Sequence, residues 1–344
     1  MGMRVLVTGH TGFIGAVMVP MLQRAGHDVV GMDTGFYDEC DFLGTMARVP
    51  AMRRDLRDVK RGDLDGFDAV VHLAALSNDP LGDFDPELTY DINHRATATL
   101  ASYAREAKVG RFLFSSSCSN YGASGGDGLL DERAAFNPVT AYGVSKVRAE
   151  KDLLELATDD FSPVLLRSAT AYGASPRLRC DIVLNNLTAW AVATGKVLIK
   201  SDGTPWRPIV HVEDICRAFL AALEAPREAV HAQAFNVGRP EENYRIRELA
   251  EIVRDTVPGC TIEFAGGAAP DTRNYRVDTS KIARTLPAFK PQWTARKGAK
   301  QLYEAFREAR ITLEDIEGWR YRRIGQLRKL LEGGKLGADL RWKA

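Results

Sequence analysis

Three glycines spaced three apart, Gly9, Gly12 and Gly15, follow directly on the apolar run Val5-Leu6-Val7. A chain that turns sharply from strand to helix while its backbone touches a pyrophosphate has no room for Cβ atoms at those points. Gly9 is therefore expected to make the turn, Gly12 to admit the phosphate and Gly15 to let the helix pack on the sheet, with Phe13 and Ile14 in the same loop. The spacing G-x-x-G-x-x-G differs from the commoner G-x-G-x-x-G, but the helix it opens offers the same unpaired N–H groups and positive dipole end. The flanking pattern predicts a strand over 3–8, a helix over 16–25 and a second strand over 28–32 that ends on Asp33. An acid there accepts both hydroxyls of an adenosine ribose and repels a 2′-phosphate, which favours NAD over NADP.

Tyr142 and Lys146 stand four apart in Tyr142-Gly143-Val144-Ser145-Lys146, just after the helix-start signal Asn137-Pro138. On a helix that spacing puts both side chains on one face, where the ammonium is expected to lower the tyrosine pKa toward working pH. Tyr142 is then the candidate general base. Upstream, Phe112-Leu113-Phe114 runs into the hydroxyls of Ser115, Ser116 and Ser117. Ligands bind at the carboxyl ends of strands in an open α/β sheet, so this hydroxyl run is expected to face the same crevice.

Together these residues resemble the extended short-chain dehydrogenase/reductases, and within them the nucleotide-sugar epimerases and dehydratases, notably the UDP-glucose/UDP-galactose 4-epimerases. The resemblance runs from Met3 to about Pro291. It implies an α/β fold of Rossmann type, a doubly wound parallel sheet with a smaller C-terminal substrate domain, and a catalytic set of Ser117, Tyr142 and Lys146. Further NAD contacts are implied at Asp55 and Leu56, at Leu73, Ala74 and Ala75 after His72, and at Asn93 on the following helix. For the substrate it implies Ser117, Thr170 and Asn185, Arg207 on the diphosphate, and Asp271 and Arg273 on the nucleotide. A guanidinium suits the diphosphate because it makes two parallel hydrogen bonds to phosphate oxygens.

Departures from the family pattern narrow the chemistry. Cys118 and Ser119 stand where the 4,6-dehydratases carry an Asp-Glu pair, which disfavours dehydration. Ser119 also holds the place of a cysteine in the 3,5-epimerase and reductase branch, and Ser175 that of a histidine. Thr170 replaces the usual asparagine, and Ala268 and Ala269 occupy the ground of the arginine expected before Asp271, which leaves the nucleotide open.

With 344 residues, 45% of them hydrophobic, the chain can bury a large core and hold more than one domain. A net charge of +1 gives no electrostatic reason to expect nucleic acid or a charged membrane as partner. No apolar stretch is long enough for a signal or a membrane span, so a cytoplasmic protein is expected. The five cysteines have no C-x-x-C spacing, which supports neither a disulfide framework nor a metal site, and Cys118 is expected to fill a tight strand end.

Strands over 68–72, 111–115 and 164–167 alternate with helices over 85–107 and 139–157. This divides the chain into an NAD-binding unit over 1–170 with returns from about 208–240, a mixed α/β substrate region over 171–310 and a helical extension over 311–344. Basic and aromatic residues around 319–323 are read as a solvated helix face packing on the substrate domain or on a second copy. Apolar stripes over 96–104 and 147–156 resemble the helix pair through which the family dimerises as a four-helix bundle, so a homodimer is expected. The expected function is NAD-dependent epimerisation of a nucleotide-activated sugar, by transient oxidation at C4 and return of the hydride. A keto-reductase of the same family and a non-catalytic NAD-binding sensor are the alternatives.

Overall fold

Strands that are apolar on both faces must be covered on both faces. Val5, Leu6, Val7, Val70, Val71, Phe112, Leu113 and Phe114 are all fully buried. The computed structural model describes residues 2–82, 84–123, 128–265 and 274–343. In chain order its strands are β1 (Arg4–Thr8), β2 (Asp28–Asp33), β3 (Ala51–Arg53), β4 (Ala69–His72), β5 (Arg111–Ser117), β6 (Leu129–Leu130) and β7 (Ser162–Ser168). They continue with β8 (Thr170–Tyr172), β9 (Lys196–Ile199), β10 (Trp206–His211), β11 (Gln233–Val237), β12 (Asn243–Arg245), β13 (Thr261–Phe264) and β14 (Arg276–Val277).

Seven of them form one all-parallel sheet in the order β11-β7-β5-β4-β1-β2-β3. β2 and β3 lie on one side of β1, and β4 starts the return on the other, so the winding reverses between β1 and β4. Open α/β sheets bind ligands at such a switch point. The loops after the two strands meet there: Gly9 has φ +71°, and a Cβ on it would lie 2.8 Å from the Ala74 amide nitrogen.

One face of the sheet is covered by the helices Gly15–Arg24 and Val212–Glu224, whose Met18, Leu22 and Phe219 pack with Val5, Val7, Val71 and Leu113. The helices Ala96–Glu106 and Ala141–Glu155 cover the other, through Leu100 and Leu153 against Phe112 and Phe114. A second core joins the helices Val183–Thr194, Ile246–Thr256 and Ala295–Glu308 to the β9–β13 pair.

Two expectations change. The single helix over 85–107 is instead Pro86–Tyr90, a π turn Asp91–Arg95 and Ala96–Glu106. Such a widened turn re-aims a side chain, and it carries the buried Asn93. Of the returns expected over 208–240, β11 joins the main sheet, whereas β10 pairs with β8 and β12 in a separate three-stranded sheet.

The extension divides its contacts between both units. Ile311, Ile316 and Tyr321 belong to the second core. Leu327, Leu330, Leu336 and Leu340 are buried with Phe36, Leu76, Leu88 and Ile92 of the first unit. Its end is tied down where the Trp342 indole donates to the Thr34 carbonyl at 2.7 Å and Arg57 Nη1 donates to the Asp339 carbonyl at 2.8 Å. Among the described residues no helix is long and apolar enough to cross a membrane, and no cluster of His, Cys, Asp or Glu could hold a metal ion.

Candidate active site

The switch point opens into a cleft of about 590 Å³ lined by the glycine loop, the ends of β2, β4 and β5, and residues of the smaller unit. Gly9, Gly12, Phe13, Ile14 and Gly15 line it, and a Cβ on Gly15 would lie 2.2 Å from the Gly9 carbonyl oxygen. Asp33 at the end of β2 also lines it, its Oδ2 accepting from the Thr11 amide at 3.1 Å and its Oδ1 from the Gly35 amide at 2.9 Å. A carboxylate has further lone pairs for ribose hydroxyls. Asp55 and Leu56 follow β3, and Leu73, Ala74 and Ala75 follow β4, all on the cleft wall. Burial alone would raise the Asp55 pKa, but hydrogen bonds from Arg57 outweigh it and hold the carboxyl below its usual value. This glycine cradle, ribose-directed acid and apolar floor fit NAD.

Asn93 is not on the cleft wall. Its side chain accepts from the Leu76 amide at 2.8 Å and donates to the Leu76 carbonyl at 3.0 Å and to Ser145 Oγ at 3.2 Å. It therefore fixes the wall loop to the helix that carries Tyr142.

That helix begins where Thr140 Oγ1 accepts from the Gly143 amide at 3.2 Å and donates to Asp79 at 2.7 Å. Ser117, the last residue of β5, hydrogen-bonds through its hydroxyl to the Tyr142 phenol. Lys146 donates to the Ser115 carbonyl at 2.8 Å, and its Nζ lies 4.6 Å from the centre of the Phe114 ring and 5.8 Å from that of Tyr142. The strand end and the helix thus bring Ser117, Tyr142 and Lys146 together at the cleft.

The electrostatics differ from the sequence reading. Burial pushes the Tyr142 phenol up to about 12, against a smaller opposing effect of the Ser117 hydrogen bond. The Lys146 ammonium that was expected to lower it is itself buried and pushed down to about 7. Beneath the pair, His72 hydrogen-bonds to Thr8 Oγ1 at 2.6 Å and to Thr97 Oγ1 at 2.8 Å. Thr97 spends its proton on the Asn93 carbonyl, so His72 Nε2 donates to Thr97 and Nδ1 accepts from Thr8. Burial first and Lys146 second push this neutral imidazole down to about 3.

Glu150, one helical turn beyond Lys146, was missed from the sequence. It accepts from Ser116 Oγ at 2.5 Å and pairs with Arg167 at 2.7 Å, both charges almost wholly buried. The pattern Y-x-x-x-K-x-x-x-E places it on the same face, but its partner comes from β7. Cys118 is fully buried, donates its S–H to the Arg167 carbonyl and has its thiol pKa raised by burial; it fills the strand end. Asp79, Tyr275 and Arg179 also line the cleft, and so does Arg323, which belongs to the basic and aromatic stretch expected as a solvated face but is buried.

Of the substrate candidates, Thr170 and Arg207 line the cleft. Asn185 does not: it accepts from the Gly173 amide and donates to the carbonyls of Gly173 and Arg179, which fixes the loop after β8. Its neighbour Asn186 lines the cleft instead. Asp271 and Arg273 lie outside the described residues.

Comparison with known proteins agrees with this geometry. Residues 5–238 match the model of the NAD dependent epimerase/dehydratase family. UDP-glucuronic acid decarboxylase 1 of Arabidopsis thaliana is 28% identical over 323 residues, covering 91% of this chain and 72% of that protein. UDP-glucose 4-epimerase of Neisseria meningitidis serogroup C is 28% identical over 289 residues, covering 76% of this chain and 84% of that protein. Among solved structures, MoeE5 in complex with UDP-glucuronic acid and NAD is 28% identical and superposes with a TM-score of 0.76 over 89% of this chain and 99% of its own. The chain belongs to the NAD-dependent epimerase/dehydratase family.

Proposed function

We propose that the protein epimerises a nucleotide-activated sugar by transient oxidation at C4. The observation that carries this reading is the hydrogen-bonded Ser117–Tyr142 pair, with Lys146 behind it, at the switch point of the sheet. Bound NAD would supply a hydride acceptor and a positive ring that favours the Tyr142 phenolate. Tyr142 would then take the proton of the sugar hydroxyl while Ser117 donates to the same oxygen, and Tyr142 would return the proton when the keto sugar is reduced on its other face. Net redox is nil. Thr170 and Arg207 would position the sugar and the diphosphate, with Asp271 and Arg273 at the nucleotide. The buried Cys118 and the hydroxyl of Ser119 offer no carboxylic acid to protonate a leaving hydroxyl, which favours epimerisation over dehydration.

The same reading includes a homodimer. The helices Ala96–Glu106 and Ala141–Glu155 pack side by side, and Leu154 stands exposed on the second. Five buried, unpaired cysteines suit a reducing cytoplasm. The test is to incubate the NAD-loaded protein with a panel of nucleotide sugars and follow product by NMR. Epimer formation without net cofactor consumption supports the proposal. Steady consumption of added NADH or NADPH would assign the protein as a reductase instead.

A further inference from the structure

We propose that the C-terminal extension completes the substrate compartment, with Arg323 and Arg179 forming a two-guanidinium receptor for a carboxylate carried on the sugar. The inference rests on the nucleotide-sugar reading of the cleft and specifies the sugar as an acid. Arg323 opens the helix Arg323–Glu332, is 2% exposed and lines the cleft, although it lies far beyond the family match at 5–238. Arg179, 6% exposed, reaches the same wall from the loop after β8.

Each guanidinium keeps one buried nitrogen without a hydrogen-bond partner, Nη2 of Arg179 and Nη1 of Arg323. Their other bonds are local. Arg179 donates to Asp181 at 2.8 Å and to Ser77 Oγ at 3.3 Å, and Arg323 Nη2 donates to the Arg177 carbonyl at 2.9 Å. Asp181 is the carboxylate that both arginines share, and it is already engaged: Oδ1 by Arg179, Oδ2 by Asn78 at 2.9 Å and by the Arg323 amide at 3.3 Å. Two buried cations thus face one buried anion. The Tyr37 ring, its centre 4.3 Å from the Arg323 guanidinium carbon, compensates only weakly. A buried unpaired charge is unfavourable unless something of opposite sign joins it.

The position says what that is. Arg179 donates to Ser77 and Asp181 accepts from Asn78, in the loop whose Asp79 is bonded to the Thr140 cap of the Tyr142 helix, so the pair sits toward the reacting end of the cleft. Arg207, the candidate for the diphosphate, comes from β10 instead. Two planar forks with free N–H groups match the two oxygens of a carboxylate better than a hydroxyl, which would leave the charge standing.

The experiment is calorimetric titration of the full-length, NAD-loaded protein with UDP-glucuronic acid and with UDP-glucose, which differ in a carboxylate against a hydroxymethyl group. Wild type should bind the acid at least about tenfold more tightly, the scale of a charge-assisted hydrogen bond. Arg323→Gln, which keeps an amide donor for the Arg177 carbonyl, should remove most of that preference, and Arg323→Lys should restore part of it. The ratio is taken within one protein, so partial loss of folded material does not move it. Equal affinities in wild type, or an unchanged ratio in Arg323→Gln, would overturn the receptor while leaving the nucleotide-sugar reading intact. Weakened NAD binding with an unchanged ratio would overturn it too, by assigning the cations to the cofactor. If UDP-, dTDP- and GDP-sugars all fail to bind, the underlying reading falls and the receptor with it.

Discussion

The Lys146 ammonium lies 5.8 Å from the centre of the Tyr142 ring and donates to the Ser115 carbonyl at 2.8 Å, so it holds the strand end to the helix beside the phenol. Tyr142, pushed up to about 12, is a protonated phenol at neutral pH in this arrangement. Replacing it by Phe removes the acid/base oxygen and the partner of Ser117 but keeps the ring. Turnover should fall by about 10² to 10⁴, with the melting temperature changed by no more than a few degrees. Steady-state rates and a thermal melt on the same preparation check this, and turnover within a few-fold of wild type would show that another group carries the proton.

His72 makes stability depend on acid. Its pKa is about 3 in the folded protein against an ordinary 6.5, so between those values the unfolded chain binds the extra proton and the folded one does not. The contribution of this group is therefore fully present above about pH 6.5 and is lost as pH falls, by up to about 1.4 kcal/mol per pH unit. Urea titrations at pH 7 and pH 4.5 measure the decline. His72→Gln, which keeps hydrogen-bonding atoms and removes the titration, should flatten it. An identical slope in both proteins would assign the acid sensitivity elsewhere.

The Glu150–Arg167 pair is buried against the strand end that carries Ser117. Arg167→Met leaves the Glu150 carboxylate with only Ser116 and Asn120 as donors and should cost about 3–5 kcal/mol of stability. Adding Glu150→Gln removes the stranded charge and should recover part of that loss. A double-mutant cycle in urea decides it: additive single effects would mean that the two charges are not energetically coupled.

How far the sequence could be read depended on range. Gly9, Gly12 and Gly15, and Tyr142 with Lys146, carry their meaning in spacings of three and four residues, where local geometry alone fixes what faces what. Asn185 shows where that stops, since on a helix a shift of one residue decides whether a side chain faces loop backbone or cleft, and Asn186 has the cleft. The break at Asp91–Arg95 was hidden because a single π turn inside a helix has no residue-type signature of its own. Arg179, Asp181 and Arg323 could not be connected in advance: more than a hundred residues separate the last from the others, and only tertiary packing of the extension brings them together.

If oxidation at C4 and return to C4 occur in one closed cycle, the hydrogen on that carbon travels as hydride and never meets solvent. Deuterium placed at C4 of the substrate should therefore remain in both epimers after turnover in ordinary water. An epimerisation by proton abstraction beside a carbonyl would instead exchange the label. Retention is expected because Ser117 and Tyr142 form one hydrogen-bonded pair at the cleft, and because Ser119 and Ser175 stand in place of the cysteine and histidine of the branch that works by proton abstraction. Both are hydroxyls, too weakly acidic to exchange a carbon-bound proton efficiently near neutral pH. Mass spectrometry of the epimer mixture reads the label directly, and its washout into solvent would rule out the oxidation-return cycle for this protein.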